Sequence, residues 1–265
     1  MTNKIDVLDH GFVRLVSYMQ PVPEEVPGVG DGFGGWPEDS KRLAQPRGWT
    51  GDLEIVRNAR VSFDADWRTG ENEYNDERLI RRLMNNDHTT PFEAMVFTFE
   101  IKCPLFIARQ WHRHRTWSYN EVSARYAELP EEYYLPVPGR MQAQSKSNKQ
   151  ASGDPLPRGM ALELQRDLER HSDLAFGLYK GAMEMGLARE LARSVLPLAT
   201  YTRFFGTVDL HNLLHFIRLR DHPHAQYEIQ VYARALKSLV RPVVPTTIAA
   251  FDKKMDTDRE EEESR

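Results

Sequence analysis

The stretch that most constrains this chain is residues 95–102, where side chains alternate with the two-residue period of a β-strand. Met95, Phe97, Phe99 and Ile101 fall on one side, and Val96, Thr98 and Glu100 on the other. These are strand-forming residue types. Pro104 follows, suited to the first turn of a helix reaching about His112, with Leu105, Phe106 and Ile107 as apolar surface to bury. A strand feeding a helix, in a chain otherwise dominated by helical spacing, predicts an α+β fold.

The remaining elements fit that class. Residues 4–18 alternate weakly and predict an opening strand, with Val7, Leu8, Phe12, Val13, Leu15 and Val16. Residues 20–49 differ in kind: Pro21, Pro23, Pro27, Pro37 and Pro46 are interspersed with Gly28, Gly30, Gly32, Gly34 and Gly35, which reads as a long surface excursion. Its GVGDGFGG run resembles a phosphate loop only in composition. No strand leads in, no Lys-Ser/Thr pair follows, and Pro37 interrupts what comes next. Helices are predicted over 52–63, 77–86, 160–196 with a break at Gly186, 209–220 capped by Asp209, and 225–240. A strand is predicted over 200–208, and residues 148–159, with Pro155 and Pro157, read as a second loop. From residue 252 onward the chain carries seven acidic and four basic residues, a net −3 of the overall −4, and reads as a frayed, solvated end.

Several classes are excluded at this point. No run approaches the roughly 18 apolar residues of a membrane helix, and the opening MTNKIDVLDHGF has no apolar core of a secretory signal. The single cysteine, Cys103, excludes an internal disulfide framework and Cys-rich zinc modules. The expectation is a cytoplasmic, soluble protein.

Chemistry concentrates between Lys102 and Arg125, where Lys102, Arg109, Arg113, Arg115, Arg125, His112 and His114 face one acid, Glu121. Such a stretch suits a phosphate or another anion. Within RHRTWSYNEVSARY, residues 113–126, two guanidiniums flank an imidazole, and Glu121, Ser123 and Arg125 alternate further on. An arginine fork fits phosphate bidentately, and a serine adds a neutral donor. The competing reading is a helix edge making surface ion pairs.

RHRTWSYNEVSARY resembles the signature of the flavin-dependent thymidylate synthases, and the likeness extends to RVSF (60–63), HTTPFE (88–93), FTFEIKCPLFIARQW (97–111), ARSVLPLATYTRFF (192–205) and LRDHPHAQYEIQ (219–230), in the family's order. It covers about three quarters of the chain, leaving out the 20–49 excursion, the 148–159 loop and the end of the chain. The resemblance implies one domain over 1–250 with an insertion at 20–49 and a charged tail at 251–265. The implied fold is α+β, helices with a small mostly antiparallel sheet. It implies conversion of dUMP to dTMP, with methylenetetrahydrofolate as carbon donor, FAD as hydride carrier and NADPH as reductant, in a homotetramer with active sites shared between subunits.

By the same resemblance, dUMP is contacted by Gln110, Trp111, His112, Arg113, Glu121, Val122, Ser123, Ala124, Arg125, Arg193 and Arg220. Arg220 is the catalytic group, placed at the uracil edge; its plain alternative is a cation on helix C-terminal carbonyls. FAD is implied to lie among Ser62, His88, Thr90, Arg113, His114, Arg115, Glu121, Asp209, His211 and His215. The family pattern carries amides and an arginine at some of these positions, from which Asp209, His211 and His215 depart. His211 and His215 stand i, i+4 on one helix, a spacing that also fits metal. Yet no Glu follows the first His, as HExxH requires, so no metal is expected. No GxGxxG follows a strand, so a dinucleotide-type flavin site is not expected.

Cys103 has no His or Asp beside it in sequence and reads as a buried small hydrophobe, which implies synthesis without a thiolate nucleophile. Ser123 reads as a hydrogen-bond donor, because no base adjoins it in sequence. Two rivals stand beside this reading. One is a nucleic-acid-binding module using the 102–125 basic stretch with Trp111, Trp117 and Tyr119 as stacking groups. The other is a metal-dependent nucleotide hydrolase using His211, His215, His222 and His224. The negative net charge argues against nucleic acid as a partner.

Overall fold

A computed structural model describes residues 2–20, 50–146 and 152–264. Two compact units emerge, each assembled from three separate stretches of chain, so neither is a domain in the sense of one continuous segment. The first comprises 1–16, 98–207 and 216–236; the second comprises 17–97, 208–215 and 237–265.

The first unit is built on a five-stranded sheet in the order β1 (Lys4–Val7), β2 (Gly11–Tyr18), β3 (Val96–Pro104), β7 (Tyr201–Asp209), β4 (Ser118–Glu121). The opening strand is therefore a hairpin, with Lys4 opposite Arg14 and Val7 opposite Gly11. Leu8 takes a left-handed φ of 61° at the turn. Gly11 has a steric reason to be glycine: a Cβ there would come within 2.0 Å of the Tyr232 hydroxyl and 2.8 Å of the Lys102 carbonyl. The hydroxyl and that carbonyl are themselves hydrogen bonded, at 2.8 Å.

The alternation in β3 holds: Phe99, Ile101 and Cys103 are fully buried. They meet an aromatic core centred on Trp111, at the end of α3 (Leu105–Trp111). Its ring centroid lies 4.7 Å from Phe216, 5.5 Å from Phe204, 5.7 Å from Trp117 and 5.9 Å from Tyr232. Each such ring withdrawn from water contributes about 1.5–3 kcal/mol. β4 pairs antiparallel with β7, Ser118 opposite Thr207 and Glu121 opposite Phe204. The signature is thus mostly turn and loop, with residues 118–121 as an edge strand. The expected 148–159 loop instead contains a strand, β6 (Ser152–Pro155), paired with β5 (Gln142–Gln144). α4 (Arg158–Glu184) starts immediately after it and packs on α5 (Arg189–Ala192) through Phe176, Tyr179, Ala182 and Ala192. The predicted break is Gly186, at φ 90°.

The second unit is helical. α1 (Gly51–Val61) packs on α2 (Glu73–Asn85) and on the 3-10 turn Thr90–Ala94, and α2 packs on α8 (Pro245–Glu263). Ile55, Val56, Ile80, Met95 and Ile248 are at most 1% exposed. α2 begins four residues before the predicted start, because the Asn72 side chain caps it by accepting from the Asn75 N–H at 3.0 Å. Asp52 ties α1 to the first turn of α8, accepting from the backbone N–H groups of Thr246 and Thr247 at 2.8 and 3.0 Å and from the Thr247 hydroxyl at 2.6 Å.

The charged end is not frayed: α8 runs to Glu263, burying Phe251 and Met255, while Glu260 and Glu261 stay exposed as expected. Asp252 explains the difference, pairing with Arg241 at 2.7 Å and Lys237 at 3.2 Å. Residues 21–49, nearly all of the predicted excursion, lie outside the described residues. α6 (Leu210–Arg220) and α7 (Tyr227–Val240) complete the set. Among the described residues no helix is long and apolar enough to cross a membrane.

Candidate active site

The residues expected to meet dUMP all fall in the first unit, on α3, the turn after it, the end of β4 and the turn that follows it, the 3-10 turn after α5 and the end of α6. The junction between two of the separated motifs is a hydrogen bond from Arg220 Nε to His114 Nε2, at 2.9 Å. An imidazole nitrogen that accepts carries a lone pair, so His114 is neutral with its proton on Nδ1. Its ring packs edge-on to Phe216, with centroids 4.7 Å apart. Arg220 is half-buried, and desolvation lowers its pKa from the ordinary 12.5. Among the described residues it has no acidic partner, so its terminal nitrogens remain as donors.

Glu121, at the end of β4, accepts from the Thr202 hydroxyl at 2.5 Å. The chain then turns: Val122 N–H donates to Arg203 O at 2.9 Å, and Ser123 Oγ accepts from the Arg125 N–H at 3.3 Å. Among the described residues the Ser123 hydroxyl is bonded to the Arg125 N–H, not to a basic side chain. Ala124 is buried and anchors the turn. Arg125 and Arg193 meet at Glu190, which sequence reasoning missed. Arg125 lies 3.8 Å from its carboxylate, and Arg193 Nε donates to its carbonyl at 3.4 Å. Gln110 Nε2 donates to Gln226 Oε1 at 2.5 Å, another partner the sequence did not reveal.

Two of the expected nucleotide contacts sit inward. Trp111 is fully buried, and its carbonyl accepts from the Tyr119 hydroxyl at 3.1 Å. His112 packs 4.5 Å from Tyr119, and burial lowers its pKa. The nucleic-acid reading loses its stacking surface here, since Trp111 and Trp117 are core residues and the Tyr119 hydroxyl is engaged by backbone.

The flavin-directed set is divided. Arg113, His114, Arg115 and Glu121 belong to the first unit, and Ser62, His88, Thr90, Asp209, His211 and His215 to the second. Arg113 and Arg115 are exposed and have no ion pair among the described residues, which suits an anionic pyrophosphate. Ser62 ends α1, His88 follows α2 with its N–H on Leu83 O at 2.9 Å, and Thr90 opens the 3-10 turn packed on α1. All three are exposed hydrogen-bonding groups. Within the first unit, the two exposed guanidiniums fit the phosphates of a flavin nucleotide. Asp209 is engaged as a cap, taking the Asn212 N–H at 2.9 Å and the Asn212 side-chain amide at 2.6 Å. His211 and His215 lie in the second unit, whereas His222 and His224 lie in the first. Among the described residues no three His, Cys, Asp or Glu side chains gather where they could hold a metal ion.

The family model described as thymidylate synthase complementing protein matches residues 48–246. A flavin-dependent thymidylate synthase of Thermus thermophilus is 45% identical over 248 residues, covering 94% of this chain and 78% of that protein. The chain belongs to the flavin-dependent thymidylate synthase family. A second member, from Wolbachia pipientis wMel, is 41% identical over 92% of this chain and 75% of its own length. A solved structure of the UMP/dUMP methylase PolB from Streptomyces cacaoi, bound with 5-Br dUMP, superposes with a TM-score of 0.73 at 30% identity, covering 94% of this chain and 97% of that one. The α+β class with a small antiparallel sheet is the fold of this flavin-dependent family. Cys103 fits a synthase that works without sulfur: it is fully buried, and burial first, then the negative charge of Glu121, push its thiol well above the ordinary 9.0.

Proposed function

We propose that this protein makes dTMP from dUMP by reductive methylation, with methylenetetrahydrofolate as carbon donor, NADPH as reductant and FAD as hydride carrier, in the cytoplasm. The observation that carries the reading is the 2.9 Å bond joining Arg220 to His114, because it assembles a desolvated cation and the RHR motif at one place. FAD, when bound, accepts and returns the hydride. The chain's own groups bind and polarise.

Arg220 stabilises negative charge on the N3–O4 edge of uracil, which makes C5 a better carbon nucleophile. A guanidinium does this without taking a proton. His114, held neutral, fixes the direction of the guanidinium by taking its Nε–H. Gln110 has one donor occupied by Gln226 and presents its carbonyl to the N3–H of the pyrimidine. Arg125, Arg193 and Ser123 take the phosphate. Their contacts to Glu190, at 3.8 and 3.4 Å, are long, and shorter charge-assisted bonds to a dianion displace them. Glu121 accepts from the sugar. Arg113 and Arg115, exposed in the first unit, would take the phosphates of the flavin nucleotide.

A homotetramer accords with the outward leucines of α4, Leu164, Leu168, Leu174 and Leu178, all exposed in the isolated chain. Anaerobic incubation of the flavin-loaded protein with dUMP, methylenetetrahydrofolate and NADPH tests the reading, and dTMP is the expected product. A colourless protein that takes up no FAD refutes it.

A further inference from the structure

The turn between α6 and α7 carries Arg220 at its start and Gln226 at its end, and a chain of side-chain bonds runs along it. Buried Asp221 accepts from Arg234 Nε at 2.7 Å. Arg234 Nη2 donates to Gln230 Oε1 at 2.9 Å. Gln230 Nε2 donates in turn to the carbonyl of Ala225 at 2.7 Å. One guanidinium on α7 is thereby bonded to the residue after Arg220 and, through Gln230, to the residue before Gln226. The turn is also tied by backbone, with Asp221 N–H on Ile217 O at 2.7 Å. It contains Pro223, exposed His224, a backbone bond from Ala225 N–H to His222 O at 2.9 Å and one from His224 N–H to His222 Nδ1 at 3.2 Å. Glu228, in the first turn of α7, is anchored separately by the Tyr134 hydroxyl at 3.1 Å, so the base of α7 is a firm platform.

We propose that Arg234 is a positioning residue for the uracil end of the nucleotide site. By bridging Asp221 and Gln230 it sets where Arg220 sits and where Gln226 meets Gln110, and so which edge of the Gln110 amide faces the pyrimidine. The inference rests on the dUMP reading above. Arg234 itself touches no substrate. Its role requires the planar two-nitrogen fork, which a lysine ammonium does not reproduce. The side chain is about half exposed, so shortening it opens no hole in the core.

Flavin-loaded Arg234→Met, Arg234→Lys and Gln230→Met are compared with wild type for kcat and KM toward dUMP, FAD content and melting temperature. Arg234→Met is expected to lower kcat/KM for dUMP on the order of tenfold, since small misplacement of binding groups is costly, with FAD content unchanged and the protein still folded at the assay temperature, though its melting temperature falls as buried Asp221 loses a partner. Arg234→Lys, which keeps the Asp221 pair and loses the Gln230 bond, recovers only part of the loss. Combining Arg234→Met with Gln226→Leu costs less than the two single losses multiplied. Wild-type kcat/KM in Arg234→Met overturns the proposal, as does a loss that is accounted for by FAD content or by the fraction of protein folded at the assay temperature. If Arg234→Met does not fold, Gln230→Met decides: a several-fold loss supports the clamp and wild-type kinetics overturn it. A wild-type protein that binds no dUMP removes the nucleotide reading and this inference together, whereas a wild type that binds dUMP beside unchanged variants removes the clamp alone.

Discussion

Asp52 and Arg220 are both ionisable groups drawn away from water, and the protein surrounds them differently. Asp52 receives three hydrogen bonds from two adjacent threonines and closes a helix end. Arg220 receives one partner, a neutral imidazole, on the nitrogen nearest its stem. The same contrast separates Arg60, bonded to buried Asp76 at 2.5 Å and to the Arg68 carbonyl at 2.7 Å, from Arg113 and Arg115, exposed and unpaired among the described residues. Charges that are fully bonded inside the protein hold the fold. Charges withdrawn from water with donors to spare are arranged for something that arrives later.

The largest expected effect breaks the comparison at its unsaturated end. Arg220→Ala should lower methyl transfer about 10²–10³-fold, the scale of losing one preorganised donor. FAD content and melting temperature should hold nearly unchanged, because the one hydrogen bond of the guanidinium among the described residues is to His114. Separate rapid-kinetic measurement of flavin reduction and of dTMP formation checks this. Equal losses in both would remove Arg220 from the uracil edge.

At the saturated end, Asp52→Ala should cost about 2–3 kcal/mol of unfolding free energy by urea titration, because two backbone donors and a hydroxyl lose their acceptor. Its pH dependence has an unusual sign. Desolvation by burial outweighs the threonine bonds and raises the Asp52 pKa from the ordinary 3.8. The folded state therefore holds this proton more tightly than the unfolded state. Stability from this group is present in full below 3.8 and declines as pH rises from there through the raised value. Asp52→Asn, which cannot ionise, should flatten that decline. A wild-type profile that instead gains on Asp52→Asn across this window would refute the assignment.

A smaller effect sharpens the contrast at the phosphate end. Arg125→Ala and Arg193→Ala should each raise the KM for dUMP about tenfold, the weight of one charged hydrogen bond of about 1.5 kcal/mol. Neither should change stability, as both contacts to Glu190 are long and exposed. Glu190→Gln should move KM the other way, by removing the carboxylate that competes for Arg125.

The saturated region and the site were not equally legible in the sequence. Period-two alternation located β3, and helical spacing located α1, α6 and α7, because one buried face leaves a periodic trace. β6 escaped notice because its SGDP sequence carries turn residues and buries no apolar face. α8 escaped because charges outnumber the apolar residues that mark its inward side, and its anchoring ion pairs come from Lys237 and Arg241, distant in sequence. At the site, RHR and the Glu121, Ser123, Arg125 alternation were readable as an anion-binding pattern. Glu190 beside Arg125 and Gln226 beside Gln110 were not, since partners 65 and 116 residues apart leave no local spacing to read, and Arg234 was not, since its bonds to Asp221 and Gln230 span the turn between two helices. The family resemblance supplied Arg193, and it supplied Arg220 where the residues alone left it as an ordinary helix-end cation.

The smallest effect concerns Cys103, which sits in the fold-holding half of the comparison although its chemistry could have put it in the other. It lies on β3 with no exposure, and its thiol is held well above 9.0 by burial and by Glu121. A negligible thiolate fraction at neutral pH gives no nucleophile for C6 of a pyrimidine. Cys103→Ala should therefore leave dTMP formation within about twofold of wild type and cost about 1 kcal/mol of stability from one lost buried atom. Both quantities come from one preparation, turnover by product formation and stability by urea titration. If turnover disappears while the protein remains folded and yellow, Cys103 belongs with Arg220 among the groups kept for the ligand, and burial on its own no longer separates the two kinds.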